Sequence, residues 1–292
     1  MKRYCIRIMN RVKQFLAAAT LSAGLLVQAA IIPTTILRPA FTATQATAPA
    51  AAAPAAAAPA PAAVPAQHAA PTPAPVPQPN GKVIFIDPGH GGSDAGALHK
   101  DANGHVDLTE KDANLAIALK LADMLRQQGY TVRMSRTTDV SPAPGGSVTA
   151  DLQARVDQAN KAGADLFICI HNNASADPAV RGTDVYYCSD RPFSADSLRL
   201  AKLVNQALAN NLQKAGYSVP NYGVKDDASM GHFAVLAPAN LARPTKMPGI
   251  LGESLYISND QDAAHLRDPS IQAAIARGYF EGIQAYFGYG QP

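Results

Sequence analysis

Cysteine is scarce in this 292-residue chain: Cys5, Cys169 and Cys188 are the only three, and no two stand in Cys-x-x-Cys spacing. That excludes a disulfide framework and a thiolate zinc motif. Tryptophan is absent, and acidic residues are missing from the first eighty positions, which therefore lack the mixed polar pattern of a folded core. The His-Glu-x-x-His signature of helical zinc proteases does not occur. The net charge is only +3, with much of the basic excess at the extreme N-terminus, so the charge gives no footing for nucleic acid. Cys169 falls inside a buried-strand pattern and Cys188 ends another, which suits two small buried hydrophobes; a Cys169–Cys188 disulfide is the alternative.

What is present divides the chain into three. Lys2, Arg3, Arg7, Arg11 and Lys13 precede an apolar stretch over 15–37, the layout of an export signal, with Val27-Gln28-Ala29 as a cleavage site. The alternative for residues 1–39 is an uncleaved membrane anchor, although Gln28 and Pro33 interrupt it. Both place the remainder outside the cytoplasm, in the periplasm or at the cell wall. Alanine and proline dominate 40–80, and such sequence cannot bury enough surface to offset its ordering entropy, so a semi-rigid disordered tether is expected there. Residues 81–292 have the length of one α/β domain.

Within that domain, 82–87, 130–135, 166–170, 182–188 and 250–255 read as strands. The spacing of Leu115, Ala118, Leu119, Ala122 and Leu125 predicts a helix over 110–128, and similar patterns predict helices over 151–162, 194–214 and 270–287. Strands alternating with helices imply a mostly parallel central sheet flanked by helices on both faces.

Two of the strands end in histidines. Val83-Ile84-Phe85-Ile86-Asp87-Pro88-Gly89 delivers His90 between glycines, and Leu166-Phe167-Ile168-Cys169-Ile170 delivers His171. Open α/β sheets place their sites at the carboxyl ends of strands, so the pair suggests a metal centre. Zinc in a hydrolase takes three nitrogen or oxygen ligands and keeps a position for water, and Glu110, opening the first helix, is the best carboxylate. An acid in a first helical turn also occurs simply to complement the helix dipole. Glu253 lies in the apolar strand Ile250-Leu251-Gly252-Glu253-Ser254-Leu255, where a carboxylate is costly to bury without a task. Left unpaired, it would have a raised pKa suited to activating water and then protonating a leaving amine; an ion pair with Arg243 folding back is the structural alternative.

Four segments in order, Ile86-Asp87-Pro88-Gly89-His90-Gly91-Gly92, Glu110-Lys111-Asp112-Ala113-Asn114, Ile170-His171-Asn172-Asn173-Ala174 and Gly252-Glu253 followed by Asn259, resemble the zinc-dependent N-acetylmuramoyl-L-alanine amidases of the amidase 3 type over about 82–287. The resemblance implies Zn2+ held by His90, Glu110 and His171, with Glu253 as the catalytic carboxylate. It implies cleavage of the amide between N-acetylmuramic acid and the L-alanine of peptidoglycan. Peptidoglycan is then the partner, with room for a protein activator, no nucleic acid, and a membrane only through an uncleaved N-terminus. The chain departs from the family in a longer His90–Glu110 segment, with Lys100–His105 as the insertion, in Tyr222-Gly223-Val224-Lys225 where arginine usually leads, and in an acidic, glycine-bearing run over 226–232. His99, His105 and His232 are expected as solvated loop histidines, with ligation or cleft lining as the alternative. Asn172 and Asn173 either orient His171 or glycan or serve a turn. A zinc peptidase on another amide, or a wall-binding protein without turnover, are the competing functions; the presence of all four of His90, Glu110, His171 and Glu253 argues against the second.

Overall fold

In the computed structural model the described residues are 80–289; the expected signal or anchor over 1–39 and the tether over 40–80, apart from Asn80, lie outside them. Val83-Ile84-Phe85-Ile86 carries no polar residue because both faces of its strand are covered, and it forms the buried β1 (Val83–Pro88). A hairpin of β2 (Leu98–Lys100) and β3 (Val106–Thr109) leads into α1 (Glu110–Gln127), whose N-cap Thr109 accepts from the Asp112 backbone N–H. Then come β4 (Thr131–Met134), α2 (Val148–Lys161), β5 (Leu166–Asn173), β6 (Thr183–Tyr187), α3 (Ser194–Lys214) and β7 (Asn221–Asp226). A 3-10 turn (Asp227–Met230), β8 (Gly249–Tyr256), α4 (Asp260–Arg267) and α5 (Pro269–Tyr286) complete the order.

The main sheet has the order β4-β1-β5-β8-β6-β7. Its first four strands are mutually parallel; β6 pairs antiparallel with β8 and carries β7 parallel to itself, so the sheet is mostly parallel, as the alternation of elements implies. One face is closed by apolar side chains of α1, α3 and α5 packed over Ile84, Ile86, Ile168, Ile170 and Ile250. The other buries Phe85, Phe167, Cys169, Tyr186 and Leu251 beneath Val156 and Ala159 of α2 and the irregular segment 233–247. Helices therefore lie on both faces, but on the second a coil shares the work.

The hairpin, β7 and α4 are additions to the elements that periodicity predicts. β7 reads Asn-Tyr-Gly-Val-Lys-Asp with no buried residue, as an edge strand can, and α4 starts on Asn259 with three polar residues. Cys169 and Cys188 are free and buried. β8 lies between their strands, separating them by about 10 Å at ordinary strand spacing, which rules out the bridge.

Beneath the sheet end, Asp87 is buried and receives the Arg155 guanidinium at 2.8 Å and the Ser135 hydroxyl at 2.5 Å. Arg155 also holds Asp151 at 2.6 Å, one turn earlier on α2. Burial alone would raise the Asp87 pKa, but Arg155 and Ser135 outweigh it and hold the carboxyl below its ordinary value. Replacing one partner leaves a buried charge uncompensated, at a cost of about 3–5 kcal/mol. Arg155→Met should therefore lower unfolding stability by about that amount in a urea titration, and Asp87→Asn in the same background should recover part of it.

Candidate metal centre and active site

The backbone after β1 is shaped to bring three side chains together. Gly89 sits against the His171 ring so closely that a Cβ there would overlap it, and a Cβ on Gly96 would meet both the Glu110 carboxylate and the His90 ring. Only glycine permits that approach. His90 itself adopts φ 63°, a left-handed conformation uncommon outside glycine, with Gly91 and Gly92 following at positive φ. The carbonyls of the turn are fixed from below. Arg136 donates to Pro88 at 3.0 Å and Gly89 at 2.9 Å, and Arg155 donates to Pro88 at 3.0 Å and His90 at 2.9 Å.

His90, Glu110 and His171 meet with one donor atom each, all within 4.8 Å of one another. Glu110 Oε2 lies 3.1 Å from His90 Nε2, and Oε1 lies 2.8 Å from His171 Nδ1. Glu110 is not the helix cap, since Thr109 fills that position. Its carboxylate turns back into the site, where it accepts backbone N–H groups from Ala97 at 2.9 Å and Asn172 at 3.3 Å. Asn172 is buried and donates to Asn114 at 2.8 Å, which in turn reaches Glu110 at 3.4 Å and the Gly89 carbonyl at 3.3 Å. It thus steadies Glu110 rather than His171, while Asn173 Oδ1 caps the Ala174 N–H in the turn. On the outer side, Asp94 holds His90 Nδ1 at 2.8 Å, the carboxylate–histidine pairing that orients metal ligands. Two imidazoles, one carboxylate and a cradle that a Cβ would fill make a donor set fitting zinc.

The charges agree with a cation-binding pocket. Burial disfavours the charged form of His90, yet Glu110 and Asp94 together push its pKa up to about 10. Burial would likewise raise Glu110, but His90 and His171 hold its carboxyl well below the usual range.

Glu253 stands next to this group. Strand register pairs it with His171 on β5 and with Asp184 on β6, so the three side chains form a row on one face of the sheet. Its Oε2 is enclosed and has no hydrogen-bond partner among the described residues. Burial, then the charges of Glu110 and Asp184, push its carboxyl well above the ordinary value. Arg243 does not fold back on it but pairs with Asp157 at 2.6 Å. Tyr222, exposed on β7, lies edge-on to Tyr256 at 6.1 Å with the Lys225 ammonium 5.3 Å from its ring. Lys225 also bonds Asp184.

Of the three extra histidines, only His105 is a solvated loop residue, its side chain 81% exposed. His99 is instead buried on β2, between Asp107 at 2.6 Å and Asp260 at 3.1 Å, because the expected insertion folds as a hairpin docked against α4. His232 is half-buried against Asp227 at 2.9 Å. Neither joins the Glu110 group. Arg136, Arg155 and Asp94 support the site from outside the four sequence motifs. The Asp151–Arg155 spacing of one helical turn is the sequence signal for one of them.

Comparison with known proteins is consistent with this geometry. The family model described as N-acetylmuramoyl-L-alanine amidase matches residues 84–285, more than half of the chain. The N-acetylmuramoyl-L-alanine amidase LytC of Bacillus subtilis is 35% identical over 208 residues, covering 71% of this chain but only 36% of LytC. The germination-specific N-acetylmuramoyl-L-alanine amidase of the same species is 32% identical over 214 residues, 71% of this chain and 81% of the relative. Among solved structures, the CwlD amidase from Clostridioides difficile, in complex with the GerS lipoprotein, superposes with a TM-score of 0.56 at 27% identity over 70% of this chain and 98% of that one.

Removal of the outer carboxylate typically costs 10–100-fold in metal affinity. Asp94→Ala is expected to weaken zinc binding within about that range, read by titration calorimetry. In chelator-treated protein, the raised His90 pKa means stabilisation that is whole below the ordinary value of about 6.5 and lost as pH rises through about 10. Urea unfolding across that window should show this alkaline loss, and His90→Ala should flatten it.

Proposed function

The chain belongs to the N-acetylmuramoyl-L-alanine amidase family, and on that premise we propose that it hydrolyses the amide between the lactyl group of N-acetylmuramic acid and the L-alanine of the peptidoglycan stem peptide. The domain is a cell-wall hydrolase of the amidase class. His90, Glu110 and His171 would hold zinc, which supplies Lewis acidity toward water and the amide carbonyl. The observation that carries the catalytic assignment is the enclosed Oε2 of Glu253 beside His171, without a hydrogen-bond partner among the described residues.

Glu253 takes the proton of the attacking water as the new carbon–oxygen bond forms. It returns that proton to the alanine nitrogen as the carbon–nitrogen bond breaks, leaving a lactyl carboxylate and a free amine. A carboxyl whose pKa is raised above its ordinary value suits both transfers. Asp184, in register beside it, keeps that environment anionic, while Lys225 compensates Asp184 from the edge strand. Asp94, Asn114 and the arginine-held turn keep the ligands in place throughout. Tyr222, exposed at the same sheet end and packed edge-on to the buried Tyr256, would give the glycan an aromatic surface.

In this account residues 1–39 export the chain to the periplasm or the cell surface, and the Ala/Pro tether over 40–80 gives the 81–292 domain reach into the wall. A protein partner docking on the domain is part of the reading, supported by the CwlD–GerS complex.

Two variants separate the roles. Glu253→Gln should bind zinc as wild type does and lose on the order of 10²–10⁴-fold in turnover of purified peptidoglycan. His90→Ala should lose both metal and turnover. Near-normal activity of Glu253→Gln would remove that residue from the mechanism.

A further inference from the structure

The described residues contain two non-glycine positions in the left-handed region, and both are histidines beside metal-capable groups: His90, and His232 at φ 67°. The second histidine belongs to a cluster that the amidase reaction does not use. Its Nδ1 lies 2.9 Å from Asp227 Oδ1 and 4.0 Å from Cys188 Sγ, and the three residues offer donor atoms within 4.8 Å of one another. We propose that Cys188 Sγ, the Asp227 carboxylate and His232 Nδ1 form a second site for a zinc-class cation, structural in role, fastening the 227–247 segment to the end of β6.

The chemistry of the set favours a borderline-soft divalent ion, which accepts thiolate, imidazole and carboxylate alike. Asp227 is completely buried, yet no lysine or arginine pairs with it among the described residues. Its other oxygen accepts the Phe233 N–H at 3.0 Å, which aims the carboxylate into the cluster. Asp190 lies 3.4 Å from the far ring nitrogen of His232. This repeats the arrangement at the first site, where Asp94 holds the outer nitrogen of a left-handed His90. Cys188 and Asp227 are enclosed while the His232 side chain is 28% exposed, so an ion can enter from one side.

This site is separate from the catalytic row. Because β6 runs antiparallel to β8, Asp184 lies level with Glu253 and the strand then leads away from it. Cys188 comes four residues later, on the order of 13 Å along the strand. The tethered segment is the one that covers the second face of the sheet through Ala234, Val235, Leu236, Leu241 and Met247. An irregular stretch doing the work of a helix needs anchoring at its start, and His232 and Phe233 are that start. Binding would release the thiol proton to solvent, since the thiolate is the ligand.

Cobalt(II) substitution of the chelator-treated full chain tests this. A thiolate ligand gives a sulfur-to-cobalt charge-transfer band in the near ultraviolet, which the nitrogen and oxygen donors of the first site do not. The expected result is two cobalt ions per chain with the band present. Cys188→Ala should bind one and lose the band, His90→Ala should bind one and keep it, and Cys5→Ala should change neither. A single ion with the band would retain this site and remove the first. A wild-type chain without the band, or a band that survives in Cys188→Ala, would overturn the proposal. Absence of the band from the wild-type spectrum overturns the proposal by itself, so misfolding of a variant does not shelter it.

Discussion

Two buried guanidinium groups hold the turn on which everything at the sheet end depends. Arg136 and Arg155 come from the end of β4 and from α2, and between them they bind the carbonyls of Pro88, Gly89 and His90. The Pro88 and Gly89 carbonyls are buried at this turn, and besides the clamp only a long bond from Asn114 reaches Gly89; a buried acceptor left unmet is costly. Arg155 can be present there only because Asp87 and Asp151 compensate its charge. The clamp fixes His90 in a left-handed conformation and lays Gly89 flat against His171. A conformation of that kind costs of order 1–3 kcal/mol, which the surrounding contacts must over-determine.

In the proposed mechanism the same sheet end sorts two carboxylates into opposite roles. Glu110 collects two histidines and two backbone N–H groups and is kept ionised, as a ligand must be. Glu253, on the far side of His171, collects no donor for Oε2 among the described residues and faces the like charges of Glu110 and Asp184. Environments that push two acids apart are how one fold divides ligand from proton carrier. Strand register produces the division, because the pairings of β8 with β5 and of β6 with β8 set His171, Glu253 and Asp184 side by side.

Much of this could be read from the residues. Strands buried on both faces announce themselves as apolar runs, and α1, α3 and α5 carry helical periodicity over several turns, so the layered α/β plan and the strand-terminal positions of His90 and His171 followed. The polar elements did not, because β2, β3 and β7 lie at edges where alternation is not demanded. His99 looked like a loop residue since nothing local says that Asp260, far along the chain, closes over it. Arg136 was equally hidden, since its partners are backbone carbonyls, which any sequence supplies, whereas Arg155 has a local signal in Asp151 one helical turn earlier.

The proposed reaction hydrolyses one bond in one polymer, and its products identify it. Purified peptidoglycan digested by this protein and resolved by mass analysis should release stem peptides with a free L-alanine N-terminus, with release stopped by a chelator and restored by added zinc. Glycan or interpeptide cleavage, or release indifferent to chelation, would contradict the account.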